Sequence, residues 1–216
     1  MKNLSITQQY LLCILKKNGK LSTLEMEKTT CLAASGVLEL LLDNVFSFDG
    51  KKLSVQAELP EDKIYVRSVY EVVKRKQPVK FENVVECFSF NFTDKYISSL
   101  IDGVGESLAE LGCVQKEKGG FMNGRTVYIP NAADVDNIVQ NIRAELLEDG
   151  ELSEDIVALT ALLNKSKDLQ RYFSAYEKQA LKKRLKEIKE NPQSEMIQKV
   201  ADYIDSMFLL FIVAIS

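Results

Sequence analysis

The sequence predicts a mainly α-helical single domain that carries two small β-hairpins. Three observations lead there. Apolar residues recur at helical spacing along most of the chain, as at Val66, Val69, Tyr70 and Val73. Asp49-Gly50 and Gly119-Gly120 each stand between short strand-like runs, the pattern of a hairpin. The final stretch, Met196 to Ser216, sets Ile197, Val200, Ala201 and Ile204 on one helical face and then runs through nine apolar residues, Met207 to Ile215. A helix that is apolar all round has to be surrounded. A membrane span needs about 20 such residues, and Asp202 and Asp205 interrupt the run before that length. The expectation is a central core helix that other helices wrap, with a weak tail anchor as the alternative.

Ser5 is placed to cap a first helix running to Lys17, with Tyr10, Leu11, Ile14 and Leu15 apolar, and Asn18-Gly19 stops it. Leu21 to Lys28 reads as a short second helix, and Thr30 to Asp43 as a third, rich in Leu and Val. Val45 to Phe48 and Leu53 to Val55 form the first hairpin. Leu59-Pro60 closes this unit, because the residue before a proline is biased away from helix. The order then repeats. Ile64 to Lys76 is a helix, Pro78 breaks the chain, Phe81 to Phe88 is a short helix, and Asp94 caps a longer one to Leu111. Cys113 to Lys118 and Thr126 to Ile129 make the second hairpin, which Pro130 ends. Helices follow over Ala133 to Leu147, Ser153 to Leu163, Leu169 to Ser174 and Ala175 to Lys189, with Asn191-Pro192 ahead of the last one. Gly103 and Gly105 lie inside a helical pattern at a cost of up to about 1 kcal/mol each. No strand precedes them to make a phosphate loop, so a kink or a close helix contact is expected there.

With 216 residues, 46% of them hydrophobic and 27% charged, the chain has the make-up of a soluble globular protein with one substantial core or two small ones. Its formal net charge of −3 exerts no global pull toward nucleic acid or anionic lipid, so any such attraction is local. Cys13, Cys31, Cys87 and Cys113 are far apart and sit among apolar neighbours, which predicts buried thiols in a reducing cytoplasm. Met1-Lys2-Asn3-Leu4-Ser5 lacks the long apolar region of a secretory signal. The absence of histidine removes the commonest general base, the serine triad and the commonest metal ligand together. There is no GxxxxGK[ST], GxSxG or HExxH motif either, so the chain reads as a protein without catalysis, cofactor or metal.

Three helices followed by a hairpin, twice, over about residues 5–58 and 62–130, is the order of a winged-helix module. A recognition helix in such a module carries Arg, Lys, Asn or Gln toward phosphates and base edges. Thr30 to Asp43 has Glu39 and Asp43 and no basic residue, while Asp94 to Leu111 sets Lys95 against Asp94, Asp102, Glu106 and Glu110. Such faces repel a phosphate backbone and release few counterions, so nucleic acid is a disfavoured partner.

Four stretches carry a family resemblance: Leu4-Ser5-Ile6-Thr7-Gln8-Gln9-Tyr10-Leu11-Leu12, Ala34-Ser35-Gly36-Val37-Leu38-Glu39-Leu40-Leu41-Leu42, Leu108-Ala109-Glu110-Leu111-Gly112-Cys113-Val114 and Ile156-Val157-Ala158-Leu159-Thr160-Ala161-Leu162-Leu163. In order and spacing they resemble the opening helix, the Gly-x-x-Leu-x-Glu-Leu-x-Leu helix, the helix end before a hairpin, and the Ala-Leu-Leu-x-Leu-Leu segment of the Golgi phosphoprotein 3 family. A basic helix and an apolar last helix follow in the same order. The resemblance covers a single domain over about 4–215. It implies a central helical bundle wrapped by amphipathic helices, with one β-hairpin protruding, and a role without catalysis. Eukaryotic members are peripheral membrane proteins that bind phosphatidylinositol 4-phosphate on Golgi membranes and engage cytosolic tails of glycosyltransferases. The chain looks like a divergent bacterial member.

The family's lipid pocket uses a Trp before the third helix, an Arg within it and two Arg residues in the helix before the second hairpin. Those positions fall at Leu24 and Ala33 and, within a residue or two, at Ser98 and Ile101, so the bidentate phosphate grip of arginine is missing there. Lys28, Lys95 and Arg125 are the nearby cations that would substitute; a solvated surface charge is the alternative for each. The family uses the second hairpin for membrane insertion and self-association. Here the tip places Phe121 and Met122 on a glycine-flanked loop beside Arg125, which suits a membrane or an oligomer interface. Folding back onto the helices is the alternative. Lys182-Lys183-Arg184, with Lys178, Lys186 and Lys189, forms a basic face that Glu177, Glu187 and Glu190 dilute, and it reads as a solvated helix face.

The sequence therefore predicts a non-enzymatic peripheral membrane or adaptor protein, cytoplasmic or on the inner membrane face. An anionic phospholipid surface and a second copy of the chain are its candidate partners. A soluble interaction module without lipid binding, and a winged-helix-like regulator, are the alternatives.

Overall fold

In the computed structural model, which describes residues 3–22, 25–89, 94–118, 125–148, 151–192 and 194–215, Ser5 opens the first helix, α1 (Ile6–Ile14), through a capping box. Its Oγ accepts from the Gln8 N–H at 3.3 Å, and its own N–H donates to Gln8 Oε1 at 3.0 Å. The helix stops at Ile14 rather than Lys17, and the Arg171 guanidinium takes its last carbonyls, donating at 2.7 Å to both Cys13 O and Leu15 O. A cation at a helix C-terminus is worth about 0.3–1 kcal/mol, more when partly buried. Buried Asp168 joins this cap to the next helix, at 3.4 Å from Arg171 and 3.3 Å from Lys28.

That next helix, α2 (Met26–Leu42), is the one the others surround. Every residue from Thr29 to Leu41 is buried. Its run Ala33-Ala34-Ser35-Gly36 lets neighbours come close: a Cβ on Gly36 would stand 3.1 Å from Val69. Among the described residues α2 is the helix buried on all sides; of the last helix, expected at the centre, the side chains past Met207 lie outside the described residues. One expectation is corrected here: Met26 to Lys28, expected to end a separate helix, belong to α2. Glu25 accepts from the Ser22 N–H at 3.2 Å and leads straight into α2, so the two predicted helices become one. The sequence misleads because burial on all sides selects small side chains as well as large apolar ones, and a small-residue run is a weak hydrophobic signal.

Strands β1 (Phe46–Phe48) and β2 (Lys52–Val55) pair antiparallel, Phe46 opposite Val55 and Phe48 opposite Leu53. Their turn has Gly50 at φ +89°, and Asp49 accepts from the N–H groups of Lys51 and Lys52 at 2.9 and 2.7 Å. A 3-10 turn, Glu61–Val66, then leads into α3 (Arg67–Lys76), where the sequence suggested one helix from Ile64. A third strand, β3 (Val79–Lys80), was not foreseen; it pairs with β2 and locks the second stretch of chain onto the first. Next come α4 (Phe81–Ser89) and α5 (Lys95–Glu110). Asp94 stands at the start of α5 in a left-handed conformation, φ 47°, and its side chain makes no capping bond, contrary to expectation.

The second hairpin, β4 (Val114–Lys118) and β5 (Thr126–Pro130), runs in register from Val114 opposite Pro130 to Lys118 opposite Thr126. Phe121 and Met122 lie outside the described residues. The helices α6 (Ala132–Leu146), α7 (Glu154–Lys165) and α8 (Ala175–Glu190) are capped by the side chains of Asn131, Ser153 and Ser174. The last, α9 (Glu195–Ile215), packs against α7, α4, α2 and α8. It buries Ile197, Val200, Ile204 and Met207, one face only over its first half. Among the described residues no helix is long and apolar enough to cross a membrane. The four cysteines are buried and form no disulfide with one another, and burial pushes the Cys13 and Cys31 thiols up to about 12. The expected class, a mainly α fold with small antiparallel sheets, holds.

Candidate functional site

Helix α5 and strand β5 meet over Tyr128. Both glycines of α5 are close contacts, as expected: a Cβ would stand 2.6 Å from Tyr65 O at Gly103, and 2.6 Å from the Tyr128 ring at Gly105. The buried ring directs its hydroxyl to Glu106 Oε1, 3.1 Å away, and toward Asp102 Oδ1 at 3.4 Å. The loop after α1 closes on the same strand. Gly19 sits at φ +72° where a Cβ would be 2.8 Å from the Tyr128 backbone, so conformation and crowding both demand glycine.

The loop, α5 and β5 enclose a recess of about 280 Å³. Lys16, Lys20 and Arg125 bring three cations to it, Asp102 its one carboxylate, and Ser98 and Ile101 stand on the α5 wall. A shallower trough of about 620 Å³ opens alongside; it shares Ser98, Asp102 and Arg125 and adds Lys95 and Glu106. The Ser98 Oγ is shielded from solvent and has no hydrogen-bond partner among the described residues.

The two carboxylates here differ. Burial raises the Asp102 carboxyl above its ordinary range; the Tyr128 hydroxyl and the Arg125 charge offset part of this, and Glu106 adds to it. The hydrogen bond from Lys116, 2.5 Å from Glu106, instead lowers the Glu106 carboxyl, despite some desolvation. Glu106 has an ion-pair partner, and Asp102 has none among the described residues.

Of the cations singled out in the sequence, Lys95 and Arg125 come together at the trough. Lys28 stands apart: its Nζ lies 3.0 Å from Glu25 and 3.3 Å from Asp168, it lines neither hollow, and it serves as a bridge inside the fold. Sequence reasoning missed Lys16 and Lys20. They flank Asn18-Gly19, which was read as a helix stop, and a turn that returns against a strand carries no local signature of that strand. Ala33 is fully buried within α2, and Leu24 is outside the described residues. Ser98 and Ile101, where the resemblance puts two arginines, do line the recess.

A larger hollow of about 710 Å³ lies elsewhere, between the start of α1, α6 and α7, but its charged lining is acidic: Asp134, Glu145 and Asp155. On α8 the lysines pair along the helix, Lys183 with Glu187 at 3.5 Å and Lys186 with Glu190 at 3.8 Å, as a solvated face does. Among the described residues no group of His, Cys, Asp and Glu is placed to hold a metal ion.

The architecture defines a class: a helix-wrapped bundle with a two-stranded hairpin at its edge and a basic recess where the hairpin meets the body. The sequence signature of Golgi phosphoprotein 3 (GPP34) matches residues 6–204, and the chain belongs to that family. No curated protein matches it.

Proposed function

We propose that the protein is a non-enzymatic peripheral membrane or adaptor protein, and that the recess between α5, β5 and the loop after α1 holds the phosphate of a lipid headgroup. What supports this reading is the meeting of Lys16, Lys20 and Arg125 around one hollow beside the second hairpin. Lysines bind phosphate as point charges and arginine as a two-pronged donor. Two of the four positions that correspond to the family's pocket, Ser98 and Ile101, stand on the α5 wall, and the cations come from the loop and from Arg125 just before β5. Lys95 adds a charge at the outer trough. Phosphatidylinositol 4-phosphate and anionic phospholipids in general are the two forms of this ligand. The hairpin tip, with Phe121 and Met122 next to Arg125, would supply apolar insertion or self-association, on a membrane facing the cytoplasm.

The DNA reading has no observation in its favour. Helix α2, the first would-be reader, is buried on all sides.

The test is flotation with vesicles of phosphatidylcholine alone, with phosphatidylglycerol added, and with phosphatidylinositol 4-phosphate added. The protein is expected to float with the charged vesicles. The double variant Lys20→Glu, Arg125→Glu should float about tenfold less or lower still, because each basic residue near an anionic surface contributes about 1 kcal/mol. Absence of flotation with all three compositions would remove the membrane reading and leave a soluble interaction module. Selective flotation with the phosphoinositide would mean that a headgroup-specific pocket has been rebuilt without the family's arginines.

A further inference from the structure

The recess contains a carboxylate that a purely anionic ligand would meet as a repulsion. On the reading that the recess holds a headgroup phosphate, we propose that the ligand is an aminoalkyl phosphate ester, its phosphate against Lys16, Lys20 and Arg125 and its primary ammonium on Asp102.

Asp102 lines both the recess and the trough, so a group lying across the two passes it. Among the described residues no cation stands within ion-pair distance of it, and its one side-chain hydrogen bond is the 3.4 Å contact from Tyr128. A half-buried carboxylate whose burial outweighs the charges near it is held above its ordinary protonation range, as Asp102 is in spite of Arg125, and it gains from any cation that reaches it. The adjacent Glu106 already has Lys116 and the Tyr128 hydroxyl, so the free negative charge of this site is at Asp102.

The wall offers more than one acceptor. Ser98 stands one helical turn before Asp102 on the same side of α5, and among the described residues its Oγ is without a partner. An ammonium carries three N–H donors, and a carboxylate with a hydroxyl one turn away engages two of them, the first as a strong charge-assisted bond. A trimethylammonium has no N–H to give, so the same wall discriminates against choline. A phosphate placed on the cations without an ammonium would feel Asp102 as a direct repulsion. The arrangement of cations on the loop and strand, and a carboxylate on the helix, therefore suits a ligand with charges of both signs better than a polyanion.

The experiment compares flotation on phosphatidylcholine vesicles, on the same vesicles with phosphatidylethanolamine, and on the same vesicles with phosphatidylglycerol. It is paired with titration of the soluble protein by phosphoethanolamine, phosphocholine and inorganic phosphate, followed by NMR. Phosphatidylethanolamine is expected to raise the floated fraction about threefold over phosphatidylcholine, and phosphoethanolamine to shift resonances of α5 and β5 where phosphocholine does not. Asp102→Asn should lose the ethanolamine gain and float better with phosphatidylglycerol, since a repulsive charge has gone. The titrations of the unmodified protein decide the matter if that variant fails to fold. Flotation with phosphatidylglycerol but no gain from phosphatidylethanolamine would overturn the ammonium assignment and leave the headgroup-phosphate reading standing. Flotation with no vesicle would overturn that reading itself. Binding of phosphoethanolamine without any flotation would overturn the lipid source and assign the same chemistry to a soluble ester.

Discussion

Gly105 carries the fit between α5 and β5 on which the recess depends. Replacing it with alanine would set a methyl group 2.6 Å from three carbons of the Tyr128 ring. Carbon atoms rest at about 3.5–4.0 Å, so the ring would have to retreat by about 1 Å. It has little room: Tyr128 is 2% exposed, its hydroxyl is tied to Glu106, and its backbone abuts the Gly19 loop. Overpacking of this kind costs about 1–3 kcal/mol. Alanine in a helix returns about 0.8–1 kcal/mol relative to glycine. The expected net loss is about 1 kcal/mol, in a range of about 0–2 kcal/mol. Gly36→Ala is the matched comparison, since Gly36 is also helical but its new methyl would meet the end of the Val69 side chain at 3.1 Å, which a small shift relieves. That variant is expected within about 0.5 kcal/mol of the wild type. Urea unfolding followed by far-UV circular dichroism measures both, provided the slope against denaturant is unchanged. A Gly105→Ala protein as stable as the Gly36→Ala protein would refute the close contact and the account of both α5 glycines.

Two further outcomes concern a half-buried carboxylate and a buried one. Asp155, in the first turn of α7, has its carboxyl pushed up to about 6, by burial first and then by Glu154 and Glu39. The unfolded chain ionises near 3.8, so it binds fewer protons than the folded one between about pH 4 and 6, and stability falls as pH rises through that window and stays level above it. The full shift is worth about 3 kcal/mol; discounted for solvent access and for the favourable charge at a helix start, about 1 kcal/mol remains. Asp155→Asn should gain about that much at pH 7 and nothing at pH 4, measured by thermal melts across pH; a gain independent of pH would rule out the titration. Glu39 is buried and receives Lys63 at 2.9 Å, the Tyr65 hydroxyl and the Thr7 N–H at 3.2 Å. Glu39→Gln should cost about 2 kcal/mol in chemical denaturation, less than the loss of a whole buried pair because Lys63 keeps Asp43 at 3.0 Å; an unchanged midpoint would show that the ion pair adds nothing.

Local chemistry made most of the helices legible. The Ser5 and Ser174 capping boxes, the Asp49-Gly50 turn and the buried period of α3 are all written in adjacent residues and reappear in the structure. What was not legible depends on residues distant in the chain. Strand β3 is two residues long and exists because β2 offers it a partner. Helix α2 is central because elements from elsewhere pack on every side of it, and its Ala, Ser, Gly and Thr residues show no strong period. Lys28 read as a surface cation because one of its two partners, Asp168, belongs to a turn much later in the chain; the other, Glu25, is only three residues away. The candidate site divides in the same way: Lys95 and Arg125 were found by their nearness to the hairpin, and Lys16 and Lys20 only by the fold.

The placement of the cations has a consequence for how the site would work. Arginines on α5 would be held by a rigid helix. Lys16 and Lys20 stand instead on a loop closed by the Gly19 N–H to Lys16 O bond at 2.8 Å and the Lys16 N–H to Lys20 O bond at 3.2 Å, with Lys16 also 3.6 Å from Glu25, and Gly19 presses on the Tyr128 backbone in a left-handed turn. Tyr128 is in turn wedged under Gly105 and held by Glu106. The loop that carries the two lysines thus rests on the same residue that spaces β5 from α5, and the depth of the recess, the position of Arg125 just before β5 and the approach of the loop are set together. A change at Gly19, Gly105 or Tyr128 would act on every cation of the recess at once without removing any of them. Substitution of one lysine would subtract one charge and leave the hollow in place. Stability and vesicle binding should therefore fall together for the first group and separate for the second.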